Sequence, residues 1–216
     1  MGNCYCIDHS YGYFMIDCGM PEKLETIREN MRYWKIDENK ITHIFLTHAH
    51  DDHSGCAAFF QKTGAKIVIG KEDEYMLERG DMGEYNPCKN HTIPPLKADI
   101  LLENDTDLKV GDITVKAIKA PGHTNGSFLY LSKIEDDLVL FSGDTFYIEG
   151  QNGELVITGW KGDTSYNADK LTASFDRIYR MGIQPDLVLG GHGIPRFGKE
   201  AKIIEMAYRY HLKNNR

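Results

Sequence analysis

Residues 47–53 read Thr-His-Ala-His-Asp-Asp-His, and this stretch decides how the rest of the chain is read. It gathers His48, His50, Asp52 and His53 within six positions. Imidazole nitrogens and carboxylate oxygens are ordinary ligands of first-row metals. The preceding residues, 41–46, read as a short strand, so the polar run begins where that strand ends. In extended chain, residues two apart point to the same side, so His48 and His50 can grip one ion. The small Ala49 between them permits close approach. Asp52 and His53 turn into the next helix and face a neighbouring position. Such a polar run would be costly if buried without partners, and ligation removes that cost.

Three more candidates follow in glycine-flanked turns: His123 in Pro-Gly-His-Thr, Asp144 in Ser-Gly-Asp-Thr and His192 in Gly-Gly-His-Gly. Seven potential ligands are too many for one ion and suit two. Two ions about 3.5–4 Å apart can share a hydroxide and keep it nucleophilic near neutral pH. A carboxylate such as Asp52 can orient that hydroxide while ligating. One ion can polarise a carbonyl or phosphoryl oxygen and the other can take the leaving group, which makes a hydrolase. Neither a Gly-x-Ser-x-Gly elbow nor a Ser-x-x-Lys motif occurs, so a serine nucleophile has no support.

Outward from the histidines, residues 3–8 and 12–17 read as a hairpin turning at Tyr11-Gly12, and 22–34 as an amphipathic helix behind Pro21. A helix is expected over 54–62, with Gly64 as its stop, then a buried strand over 65–69. Residues 71–98 are polar and hold Pro87, Pro94 and Pro95. They read as a short helix and an irregular loop, a candidate lid. Strands are expected at 99–102, 107–110, 113–119, 127–132, 137–142 and 186–189, with helices at 168–181 and 199–212. This order suggests two packed sheets with helices outside, in one domain over residues 1–216. The ligand candidates all follow strands, where loops gather on one edge.

The 216 residues are 41% hydrophobic and 26% charged, enough to fill a core. A net charge of −7 argues against a nucleic-acid partner and leaves a small-molecule substrate as the expectation. The five cysteines, Cys4, Cys6, Cys18, Cys56 and Cys88, match no zinc-finger or Cys-x-x-Cys spacing and read as free thiols. With no leader pattern and no apolar run of about 18 residues, the cytoplasm is the expected location and no membrane contact is expected. His9, His43, His91 and His211 are left over as packing or surface residues. Asp51 reads as a helix-entry or supporting acid, and Asp17 as a turn residue or a support for a ligand histidine.

His48-x-His50-x-Asp52-His53, with His123, Asp144 and His192 downstream, resembles the metallo-β-lactamase-fold superfamily. The likeness extends from Ile16-Asp17-Cys18-Gly19 to Gly190-Gly191-His192-Gly193. It implies an α/β fold, a four-layer αββα sandwich with the metals at one edge of the two sheets. Carried over by position, His48, His50 and His123 hold the first ion, Asp52, His53 and His192 the second, and Asp144 bridges them. The resemblance implies two divalent ions, zinc by preference, with iron or manganese also suited to this donor set. It also implies cleavage of an ester-type bond, either a thioester as in the glyoxalase II-like branch or a lactone. In the lactonase branch a tyrosine at the offset of Tyr147 contacts substrate. Phe146 beside it should point the other way, and Trp160-Lys161-Gly162-Asp163 lines the pocket or forms a surface loop. Rival readings within the fold are a mononuclear iron persulfide dioxygenase and a phosphodiesterase or nuclease.

Overall fold

The computed structural model describes residues 2–82, 92–151, 153–198 and 202–214. One sheet runs β1 (Tyr5–His9), β2 (Gly12–Ile16), β3 (Ile41–Phe45), β4 (Lys66–Gly70) and β5 (Ile100–Leu102) in that spatial order. After the antiparallel β1–β2 hairpin its strands are parallel. The second sheet has the spatial order β13 (Arg196–Phe197), β12 (Leu187–Gly190), β9 (Asp137–Gly143), β8 (Phe128–Ile134), β7 (Ile113–Lys119) and β6 (Thr106–Val110). It is antiparallel except where β12 runs parallel to β9. A small ribbon, β10 (Tyr147–Glu149) with β11 (Leu155–Ile157), forms a separate two-stranded sheet bridged to Gly193 through Ile148.

Successive strand side chains point to opposite faces, and here both faces are apolar. Phe14, Ile16, Phe45 and Val68 of the first sheet meet Val115, Phe128, Tyr130 and Phe141 of the second in one inner core. Their neighbours point outward. Met15, Ile44, Ile67 and Ile69 pack under α1 (Leu24–Tyr33), α3 (Ala57–Lys62) and α4 (Glu74–Arg79). Ile118, Leu129 and Leu140 pack under α5 (Ala168–Arg180) and α6 (Ile203–Asn214). Each large side chain taken from water this way contributes about 1.5–3 kcal/mol. Three cores separate four layers, which is the αββα sandwich expected from the sequence.

Several boundaries differ from the sequence reading. The expected helix over 54–62 is two pieces, α2 (Asp51–Ser54) and α3, with Gly55 and Cys56 between them. The start moves back because Asp51 and Asp52 occupy the first turn, where acids meet the positive helix end. Gly12 belongs to β2 rather than to the turn. The ribbon β10–β11 and the two-residue β13 are too short to leave a periodic signal. The last helix is described from Ile203, and residues 199–201 lie outside the described set. Over 71–98 a short helix, α4, forms as expected. The candidate lid falls partly on residues 83–91, outside the described set, as do His91 and Cys88. Cys4, Cys6, Cys18 and Cys56 are free thiols. Among the described residues no helix is long and apolar enough to cross a membrane.

Two contacts tie the sheets together where the histidine run begins. The buried phenol of Tyr130 donates to the carbonyl of Leu46 (2.8 Å), and the Phe128 N–H donates to the carbonyl of Thr47 (2.9 Å). The loops after β3, β7, β9 and β12 therefore converge on one edge.

Candidate metal centre

Those four loops carry the seven candidate ligands. His48 and His50 follow β3, and His50 precedes α2, which carries Asp52 and His53. His123 lies between β7 and β8, Asp144 follows β9, and His192 follows β12. Three groups of ligand atoms form: His48–His50–His123, His48–His53–Asp144 and Asp52–His53–His192. His123 Nε2 stands 3.2 Å from both His48 Nε2 and His50 Nδ1. Nitrogens that bind one zinc tetrahedrally at about 2.0–2.1 Å stand about 3.3 Å apart, so the trio has the spacing an ion needs. His192 Nε2 is 3.3 Å from Asp52 Oδ2 and from Asp144 Oδ2. Asp144 also reaches His123 Nε2 (3.7 Å) with Oδ2 and His53 Nε2 (3.5 Å) with Oδ1. It thus stands between the two groups.

Hydrogen bonds on the outer side fix which nitrogen of His48, His50 and His53 faces the centre. Thr47 gives its backbone proton to Asp17 Oδ1 (2.7 Å) and its hydroxyl proton to Asp17 Oδ2 (2.8 Å). His48 Nδ1, 3.0 Å from that hydroxyl, must then be the donor, which leaves a lone pair on its Nε2. His53 Nδ1 donates to Asp17 Oδ2 (2.8 Å), and His50 Nε2 donates to Asp163 Oδ2 (2.8 Å). Each of these rings is locked with its other nitrogen inward, as supporting groups do for metal-binding histidines. His53 Nε2 and Asp144 Oδ1 are buried without a hydrogen-bond partner. A β-carbon on Gly191 would collide with Asp144 Oδ1, so a side chain there would fill this space. The donor set, its spacing and its orphaned buried atoms all fit divalent ions.

Protonation divides the two groups. Burial, with the neighbouring His53 and His50, holds His48 far below the usual imidazole range. Burial and His50 bring His123 down to about 3. For His53 burial acts downward but is outweighed by Asp144, Asp17 and Asp52, which push it up to about 10. At neutral pH the metal-free protein therefore carries a proton on His53 and none on His48 or His123. That proton stabilises the metal-free fold fully below about pH 6.5, and its contribution disappears as pH rises towards 10. An ion entering the Asp52–His53–His192 group must displace it. Lowering the pH should therefore empty that group first. Metal content after dialysis between pH 8 and pH 5.5 checks this, and simultaneous loss of all metal at one pH would contradict it.

Two supporting acids have no signal in the sequence motif. Asp163 lies in the stretch read as pocket lining or surface loop. It is buried beneath His50, and Ser165 also donates to it through its N–H and hydroxyl. Asp73, fully buried after β4, accepts from the Ala49 N–H (3.2 Å), the Thr124 hydroxyl (2.7 Å) and the Gly126 N–H (2.7 Å). It ties the His48–His50 turn to the loop of His123. Burial pushes its pKa up to about 6 against the pull of those donors. Of the leftover histidines, His9 and His43 share the hydroxyl of Thr42, and His211 bonds Thr172. None of these three joins the centre.

At the mouth, the Tyr147 ring lies 5.2 Å from that of His192. Phe146 is buried in the outer core beside Phe175, so the two aromatics do point apart. Trp160 stands 6.1 Å from the His50 ring and is 45% exposed.

Fold and site together define a class: αββα sandwiches with a histidine–aspartate metal centre at the edge of their sheets. This chain belongs to the metallo-beta-lactamase superfamily, whose family model matches residues 1–192. It is 28% identical over 151 residues to the probable metallo-hydrolase YqgX of Bacillus subtilis, covering 69% of this chain and 67% of that one. It is 33% identical over 111 residues to a hydroxyacylglutathione hydrolase of Rhizobium etli, covering 51% of this chain. The match spans only 36% of that enzyme's length. Among solved structures, BJP-1, a subclass B3 metallo-beta-lactamase of Bradyrhizobium japonicum, superimposes with a TM-score of 0.74 at 24% identity, covering 97% of this chain and 83% of that one.

Proposed function

We propose that the chain is a metal-dependent hydrolase that cleaves an ester-type bond, a thioester or a lactone. The observation that carries this reading is the position of Asp144 between a three-histidine group and the Asp52–His53–His192 group. His48, His50 and His123 would hold one divalent ion, Asp52, His53 and His192 a second, and Asp144 both. Five imidazoles and two carboxylates favour zinc, with iron or manganese also compatible. Such a pair supplies Lewis acidity to the scissile carbonyl and makes water acidic enough to attack at neutral pH. The chain's own groups then divide the work. Asp52, the more exposed of the two carboxylates, would orient the attacking water. Asp17 and Asp163 keep His53 and His50 aimed inward.

Tyr147 is half-buried, and burial together with Asp144 pushes its pKa up to about 12. It stays a phenol at neutral pH and can donate to a developing oxyanion. Tyr147→Phe should lower kcat/KM by about 10- to 1,000-fold with metal content unchanged. A small melting shift with intact turnover would instead make Tyr147 a packing residue.

The test of the reading is elemental analysis of protein purified without added metal, followed by a panel of thioesters, lactones and phosphodiesters. Turnover of a thioester or lactone by protein with two ions supports it. One iron per chain with oxygen consumption on a persulfide would support the dioxygenase reading, and turnover of phosphodiesters alone the phosphodiesterase one.

A further inference from the structure

His192 is the least enclosed of the five histidines, with 27% of its side chain exposed, against 5% or less for the other four. Its loop, Gly190-Gly191-His192-Gly193, has three glycines and little stiffness of its own. A ligand on such a loop keeps its place only if something outside holds the backbone.

The Gly191 N–H donates to the Gly143 carbonyl (2.8 Å) and the Ile194 N–H to the Ile148 carbonyl (2.9 Å), and the loop's own carbonyls are held from the far end of the chain. The Asn3 N–H donates to the Gly191 carbonyl (2.6 Å). The Asn3 side-chain amide donates to the carbonyls of Gly190 (3.2 Å) and Gly193 (3.3 Å). The Tyr5 hydroxyl donates to the Gly190 carbonyl (2.7 Å). Three of the loop's four carbonyls are thereby engaged. The residue before Asn3 closes the other side: Gly2 is buried, and a β-carbon on it would stand 2.5 Å from the Asp52 carbonyl and 2.9 Å from His53 Cε1. One short segment thus lies against the Asp52 backbone and the His53 ring and bonds the glycines on both sides of His192. His48, His50 and His123 are braced from elsewhere, by Thr47, Asp163 and Asp73.

We propose that the segment Gly2–Tyr5 is a strap that sets the affinity of the second ion position, with Asn3 and Tyr5 as positioning residues for His192. This rests on the two-ion reading above. The strap lowers the cost of bringing His192 to the ion by fixing its loop beforehand.

The experiment is a zinc titration by calorimetry of the chelated full chain, comparing wild type with Asn3→Ala, Asn3→Asp and Tyr5→Phe, alongside melting of the chelated proteins. The weaker-held of two zinc ions should lose about 10- to 100-fold in affinity, the range found for residues that orient metal ligands. The other ion should bind as before. Asn3→Asp should be worst, because it turns the amide donor into an acceptor facing two carbonyls. Tyr5→Phe removes a single hydroxyl and decides the matter if the Asn3 variants do not fold. Wild type binding two zinc ions, with both affinities unchanged in the variants or falling together, would overturn the strap alone. Wild type binding a single zinc would overturn the two-ion reading and the strap with it.

Discussion

Asp144→Ala is expected to release metal from both groups and to lower kcat/KM by at least about 1,000-fold. Its carboxylate is 3.3 Å from His192 Nε2, 3.5 Å from His53 Nε2 and 3.7 Å from His123 Nε2, so it serves both groups. Burial would raise its pKa, yet His53, His192 and His123 hold it well below the usual carboxylate range. It is thus ionised at any working pH. Removing it takes away the negative charge shared by two cations and leaves His53 supported by fewer acids. A 1,000-fold loss is about 4 kcal/mol at the barrier, reasonable for losing a two-ion centre. His192→Ala, by comparison, should lose one ion and keep the other. Metal analysis and kinetics on the same preparations check both. An Asp144→Ala protein with two ions and near-normal turnover would remove this residue from the centre.

Asp52→Asn is expected to keep most of its metal and to lose about 100- to 10,000-fold in kcat, the range for a positioned acid–base group. An asparagine oxygen still ligates, but the amide lacks the charge that orients attacking water. The distinction from Asp144 follows from position. The Asp52 side chain is 23% exposed, whereas that of Asp144 is 5% exposed. A variant with kcat within about threefold of wild type, roughly 0.65 kcal/mol, would exclude Asp52 from the chemistry.

The sandwich was legible because apolar runs such as residues 41–46 and 127–132 have strand length and end at turn residues. The candidate ligands could be picked out because His48, His50, Asp52 and His53 crowd a few positions and the rest sit beside glycines. Asp73 and Asp163 were not, because each sits among ordinary polar residues and acquires its role only from tertiary contact. Asp163 meets His50 across 113 positions, and Asp73 meets Gly126 across 53. Asn3 reaches Gly190 across 187, so nothing local marks it. Asp17 could be read either way from its turn. Its bonds to Thr47 and His53 decide the question in favour of support.

The central claim is that seven side chains hold two ions side by side. Anomalous diffraction from crystals of protein purified without added metal tests it most directly. The account predicts two peaks. One lies among His48 Nε2, His50 Nδ1 and His123 Nε2, the other among Asp52, His53 Nε2 and His192 Nε2, and Asp144 contacts both. A single peak among the three histidines, with Asp52 and His192 turned away from it, would contradict it.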